Sequence, residues 1–233
     1  LDYTDALTRF AAAQAERSPS RLRRFLAARE ARALAVYEAA QAGRFDAAFI
    51  SSPRDRDYLR ARGASETLQV VSNGVDSEAF RPTGELTARA RVLFVGNLAY
   101  PPNAEGLAAF CRNVWPRIAA EAPGATLLAA GGLPGGGLAA ARQRFPGAEI
   151  LGRVPDPAAL MRTCRVAICP LDVAAGRQFK VLESLAVGLP TVVTPVVAEN
   201  LGLADGVEVA VGGGAREFAQ GVLALLRDDR RLE

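Results

Sequence analysis

The residues of this chain best spaced for chemistry run from Gly176 to Pro195, GRQFKVLESLAVGLPTVVTP, where a basic loop, an acidic helix and a β-branched run follow one another without spare residues. Helical periodicity starts near Gln178 and Phe179, so free N–H groups and the positive end of the helix dipole are offered to an anion there. Arg177 and Lys180 flank that start. An arginine grips phosphate through two parallel N–H bonds, and a lysine acts as a point charge. Glu183 follows about a turn and a half beyond the helix start. Its carboxylate either accepts from two neighbouring hydroxyls of a ribose or faces solvent on an amphipathic helix. Gly188 stops the helix, and Pro190 precedes Thr191 to Thr194, a run suited to a buried parallel strand. Together these residues read as a pocket for a nucleoside diphosphate.

Such a loop needs a sheet edge to stand on. From about Val92 onward, short apolar runs alternate with helical stretches, the mark of βαβ units and a parallel sheet. Strands are expected at Arg91–Val95, Ala125–Ala129, Glu149–Leu151, Val166–Cys169, Thr191–Val193 and Glu208–Val211. Helices are expected at Ala104–Ala120, Gly137–Arg144, Pro157–Arg162, Phe179–Val187 and Arg216–Arg227, with Asn103 and Asp156 as caps. Ligands settle beyond the carboxyl ends of such strands. Gly96 leaves no side chain where phosphate meets backbone, and Asn97 offers an amide donor. Gly131 to Gly137, GGLPGGG, has neither the Lys-Ser of a P-loop nor dinucleotide spacing, and reads as a strand-to-helix connection near the nucleobase.

The first ninety residues have a different plan. A helix is expected over Leu22–Ala42, with Leu22, Phe25, Leu26, Leu34 and Tyr37 forming its apolar side opposite an arginine-rich face. A strand at Asp46–Ser51, a helix at Pro53–Arg62 and a strand at Leu68–Val71 complete what resembles the last third of an α/β domain. The organisation expected is residues 1–73 as part of one α/β domain, 74–90 as a linker and 91–233 as a Rossmann-type domain. The start at a leucine, with no methionine before Met161, suggests a piece of a longer polypeptide.

Half of the 233 residues are apolar, enough for a sizeable core, and the formal net charge of +3 gives no case for nucleic acid. The absence of histidine removes any His general base or Ser-His-Asp triad from this chain. Cys111, Cys164 and Cys169 lie among apolar neighbours and suit small buried residues in a reducing compartment, not zinc ligands. Arg21, Arg23, Arg24, Arg29 and Arg32 form either a solvated helix face or a contact for anionic lipid.

The order of basic loop, Lys-Val-Leu-Glu at Lys180 to Glu183, Gly188, Pro190 and hydrophobic strand resembles the nucleotide-sugar site of GT4-type glycosyltransferases of the GT-B fold. SNGVD at Ser72 to Asp76, FVGNLAYPPN at Phe94 to Asn103, GRVPDPAALM at Gly152 to Met161 and CPLD at Cys169 to Asp172 resemble further segments of that family in the same order. The family pattern carries two glutamates eight positions apart; the second falls on Glu183 and the first on Ala175. In that respect the chain is similar to the exopolysaccharide- and exosortase-associated subgroup, whose loop is Gly-rich. The family's Arg and Lys after the first strand are here Asn97 and Asn103, which removes positive charge from one side of the diphosphate.

The resemblance implies a retaining transferase that takes sugar from a nucleoside-diphosphate donor without a metal or other cofactor. Its acceptor would be a glycan or a lipid-linked sugar, and its location the cytoplasm, peripheral to the inner membrane. It implies Lys180 and Arg177 as catalytic cations, with Gly96, Asn97, Val154, Gly176, Gln178, Phe179, Val181 and Glu183 around the donor. A non-catalytic sugar-nucleotide-binding or assembly module is the alternative, suggested by Ala175.

Overall fold

The computed structural model describes residues 1–3, 6–9, 11–12, 20–83, 90–135, 137–173 and 178–227. They form two compact units, Leu1–Gly74 in the first, and Val75–Asp172 with the residues from Gln178 onward in the second.

The first unit carries strands β1 (Asp2–Tyr3), β2 (Ala48–Ile50) and β3 (Leu68–Val70), which pair in parallel in that order. Helices α1 (Arg21–Ala42) and α2 (Pro53–Arg60) lie between them in sequence. Ser20 caps α1, its hydroxyl accepting from the Arg23 N–H at 3.5 Å, and Pro53 opens α2, where its missing N–H is harmless. The apolar side expected for α1 is not its buried one. Leu22 is 67% exposed and Phe25 66%, with Leu26 and Tyr37 also exposed, whereas Ala31, Glu38, Ala39 and Ala42 are buried. Small side chains let the helix approach the unit closely, and Glu38 is satisfied there, accepting from the N–H groups of Leu7 at 2.8 Å and Thr8 at 3.0 Å and from the Thr8 hydroxyl. Arg9 pairs with buried Asp55.

The second unit is built on β4 (Arg91–Val95), β5 (Thr126–Ala130), β6 (Ala148–Gly152), β7 (Val166–Cys169), β8 (Thr191–Val193) and β9 (Ala210–Val211). These pair in parallel in the spatial order β6-β5-β4-β7-β8-β9. This is the α/β, parallel-sheet architecture expected, with strand order reversing between β4 and β7. The helices are α3 (Pro101–Asn113), α4 (Trp115–Glu121), α5 (Gly137–Arg144), α6 (Pro157–Arg162), α7 (Phe179–Ala186), α8 (Pro195–Leu201) and α9 (Ala215–Arg227). Because side chains alternate along a strand, Val92 and Phe94 of β4 join a core with Leu107, Phe110, Ile118 and Phe218, while Leu93 joins another with Leu128, Met161 and Val187.

Three local differences from the sequence reading have plain causes. The single helix expected over Ala104–Ala120 is two, α3 and α4, parted at Val114 just before Pro116, which cannot donate in a helix interior. The first of these starts at Pro101 rather than after Asn103, because two prolines fit a first turn whose N–H groups have no acceptor anyway. Helix α8 was not expected, although Thr194 and Pro195 mark its start and Gly202, at φ 69°, its end. The Asp156 cap is present, accepting from Ala159 N–H at 2.9 Å. Within the stretch expected as a linker, Phe80 packs on the second unit, and the Arg162 guanidinium donates to the carbonyls of Ala79 at 2.7 Å and Arg81 at 3.1 Å.

Candidate functional site

Reversal of strand order leaves a crevice beyond the carboxyl ends of β4 and β7, the place where open α/β sheets bind ligands. Gly96 and Asn97 follow β4 into it, Cys169 ends β7 below it, and α7 begins beside it. The Gln178 side chain makes no capping hydrogen bond to the first turn of α7, and the N–H groups of Phe179 and Lys180 have no intrahelical acceptor. Phe179 is 45% exposed at that end.

Lys180 turns back from α7 toward β4. Its ammonium donates to Oδ1 of Asn103 at 2.5 Å and lies 5.0 Å from the centroid of the Phe94 ring. A Cβ on Gly96 would stand 3.0 Å from that ammonium and 3.0 Å from the Asn103 Nδ2, so the glycine makes room for both. Asn103 Nδ2 donates in turn to the Asn97 carbonyl at 3.0 Å, and the Asn97 side-chain oxygen accepts from the Ala99 N–H at 3.0 Å. The turn after β4, the start of α3 and the start of α7 are thereby joined around one cation.

Burial shifts the titration of both charged groups here. The Lys180 amine is pushed below its ordinary range by desolvation, partly offset by Cys169 and Glu183. Burial raises the Glu183 carboxyl above the usual carboxylate range, with Lys180 pulling the other way. Glu183 is half-buried, three residues along the same helix, and its carboxylate makes no hydrogen bond among the described residues. The Cys169 thiol is pushed up by complete burial.

The remaining sequence-predicted residues are distributed unevenly. Gln178 holds the N-cap position of α7, its backbone carbonyl accepting from the Val181 N–H at 3.0 Å, while the Val181 side chain is fully buried in the core, so this valine contributes packing and presents no surface. Val154 sits in the loop after β6, on the same sheet edge as Gly96 but two strands away in the sheet order. Gly176 and Arg177, like Ala175, lie outside the described residues. Asn103 is the residue sequence reasoning misassigned: read as a helix cap, it is buried within the first turns of α3 and holds Lys180. The prolines at 101 and 102 were the available signal, since they move the helix start back and turn Asn103 inward with Leu107 and Phe110.

The gap behind Lys180, bounded by Leu93, Val95, Cys169, Val181 and Thr191, is too small for a water molecule, so a ligand meets the cation from outside. Beside it on the same sheet edge a cavity of about 160 Å³ opens among Gly106, Pro170, Asp172, Thr194 and Gly212. Cation, helix dipole and bare glycine backbone together suit an anion, and the neighbouring carboxylate suits hydroxyl groups. Among the described residues, no three metal-ligating side chains cluster, and no helix is long and apolar enough to cross a membrane.

Comparison with known proteins agrees with this architecture. HepE of Anabaena, solved with UDP and glucose, superposes with a TM-score of 0.70 at 16% identity over 85% of this chain and 59% of its own. Sucrose-phosphate synthase from Thermosynechococcus elongatus gives 0.71 at 18% identity over 97% of this chain and 58% of its own. A variant of S. aureus TarM, solved with Fondaparinux, alpha-GlcNAc-glycerol and UDP, gives 0.70 at 11% over 84% and 40%. These likenesses establish the fold, that of GT-B glycosyltransferases, and this chain spans about half the length of those structures. No curated protein sequence matches. The family model described as Glycosyl transferases group 1 matches residues 89–228. Since that match takes in more than half of the chain, the protein belongs to the glycosyl transferases group 1 family.

Proposed function

We propose that this chain is the nucleotide-sugar-binding part of a retaining, GT4-type glycosyltransferase that moves a sugar from a nucleoside-diphosphate donor to a glycan or lipid-linked acceptor in bacterial polysaccharide synthesis. The observation that carries the reading is the Lys180 ammonium held against Gly96 at the point where strand order reverses. As the bond between the anomeric carbon and the diphosphate oxygen breaks, negative charge grows on the leaving diphosphate. Lys180, Arg177 and the first N–H groups of α7 stabilise that charge, so that side chains and dipole do the work in this reading without a metal ion. Gly96 and Asn97 receive the phosphates, Glu183 the ribose hydroxyls, and Val154 the base. The work would be done in the cytoplasm, with peripheral membrane contact where the acceptor is lipid-linked.

Ala175, standing where the family pattern has its first glutamate, favours the second reading, a module that binds sugar nucleotide without transfer. Calorimetric titration of the chain with UDP- and GDP-sugars, followed by assay of sugar release with the binding donor, separates the two. Binding with slow release supports the transferase; binding with no release above buffer supports the module; no binding to any donor overturns both.

A further inference from the structure

Both ends of the Asn103 amide are committed, Oδ1 to the Lys180 ammonium at 2.5 Å and Nδ2 to the Asn97 carbonyl at 3.0 Å. The residue is buried, and a flip would set its NH₂ against an ammonium and its oxygen against a carbonyl, so one orientation survives. Its helix is fixed too: Leu107 and Phe110 sit in the core, and a Cβ on Gly106 would fall 2.5 Å from the Pro170 carbonyl oxygen. Lysine, by contrast, is a point charge on a flexible four-carbon stem that holds no direction by itself.

We propose that Asn103 is a positioning residue for nucleotide binding, fixing the Lys180 ammonium and the turn after β4 in one register around the diphosphate. The inference rests on the reading of the crevice as a diphosphate site. Asn103 acts through Lys180 and the Asn97 carbonyl, without itself touching the ligand. Among the described residues, the groups facing Lys180 are Phe94 from β4, Asn103 from α3, Cys169 from β7 and Glu183 from its own helix. Burial disfavours the charged amine, and the Asn103 oxygen accepts a hydrogen bond from it, a contact that favours the charged form.

Titration of the 233-residue chain with UDP, and with GDP in parallel, tests this on wild type, Asn103→Ala, Lys180→Ala and the double variant. Asn103→Ala should weaken the nucleotide that binds by about tenfold, the loss of one hydrogen bond to a charged group. The double variant should lose less than the product of the two single losses, because Asn103 acts in part through Lys180. In Asn103→Ala, affinity should also fall away at a lower pH than in wild type, since the amine gives up its proton more easily. Losses that multiply, or an unshifted pH limb, would overturn the proposal. Should Asn103→Ala fail to fold, Asn103→Ser, which keeps a small polar side chain, takes its place in the same cycle. Wild type that binds neither nucleotide overturns the site reading itself; Lys180→Ala weakening binding while Asn103→Ala does not overturns only the role of Asn103.

Discussion

Gly131, after β5, stands so close to Gly96, after β4, that a Cβ on residue 131 would lie 1.9 Å from the Gly96 carbonyl oxygen. Gly131 also holds φ at 144°, and the Gly96 N–H donates to the Ala130 carbonyl at 2.9 Å. The backbone of one loop therefore sets the position of the other, and through Gly96 the floor beneath Lys180. This contact accounts for glycine at position 131, as the nearness of Lys180 and Asn103 accounts for it at position 96.

Gly131→Ala should accordingly destabilise the fold by about 2–4 kcal/mol, combining a backbone clash with a strained φ. Gly135→Ala, with nothing within 4 Å of its Cβ position, should change stability by no more than about 0.5 kcal/mol. Urea unfolding of the two variants measures the contrast. Equal effects would show that the approach of the two loops is not what Gly131 secures.

Lys180 makes the stability of the folded protein depend on pH in a definite direction. Its amine is lowered in the folded chain, so the unfolded chain binds more protons between the folded value and the ordinary lysine value. Stability from this group is fully present above the unfolded value and is lost as pH falls through the folded one. Relative to Lys180→Met, wild type should gain thermal stability as pH rises from neutrality toward about 10.4. Parallel melting curves for the two proteins across that range would contradict the burial of the charge.

The half-buried Glu183 carboxylate is assigned to ribose hydroxyls. Glu183→Ala should weaken UDP by about tenfold, as expected for a hydrogen bond to a charged group, and leave 2′,3′-dideoxy-UDP nearly unaffected. Acidification should erase the wild-type preference for UDP over the dideoxy analogue at a pH above the usual carboxylate range, because burial raises this carboxyl. Equal losses for both nucleotides in Glu183→Ala would remove the ribose from its role.

Much of the second unit was legible because its signals are local. Alternating apolar runs located β4 to β8, Asp156 with Pro157 marked the start of α6, and Gly188 the end of α7. The Lys180 assignment came from its place beside a helix start, and the structure puts its ammonium at the β4 and β7 edge. What was not legible depends on distant partners. Asn103 looks like a cap until the strand order brings α7 against it, and the buried side of α1 is set by Thr8 and the alanines it meets rather than by its largest side chains. The burial of Val181 was not legible either, because spacing along a short helix does not say which side faces the sheet.

The central claim is that the Lys180 cation at the β4 and β7 crevice grips a diphosphate. Its most direct test is the ratio of UDP to UMP affinity, with GDP and GMP in parallel, in wild type and in Lys180→Ala. Wild type should prefer the diphosphate by at least about tenfold, and the preference should shrink to near unity in the variant. A diphosphate preference that survives removal of the lysine would contradict the account.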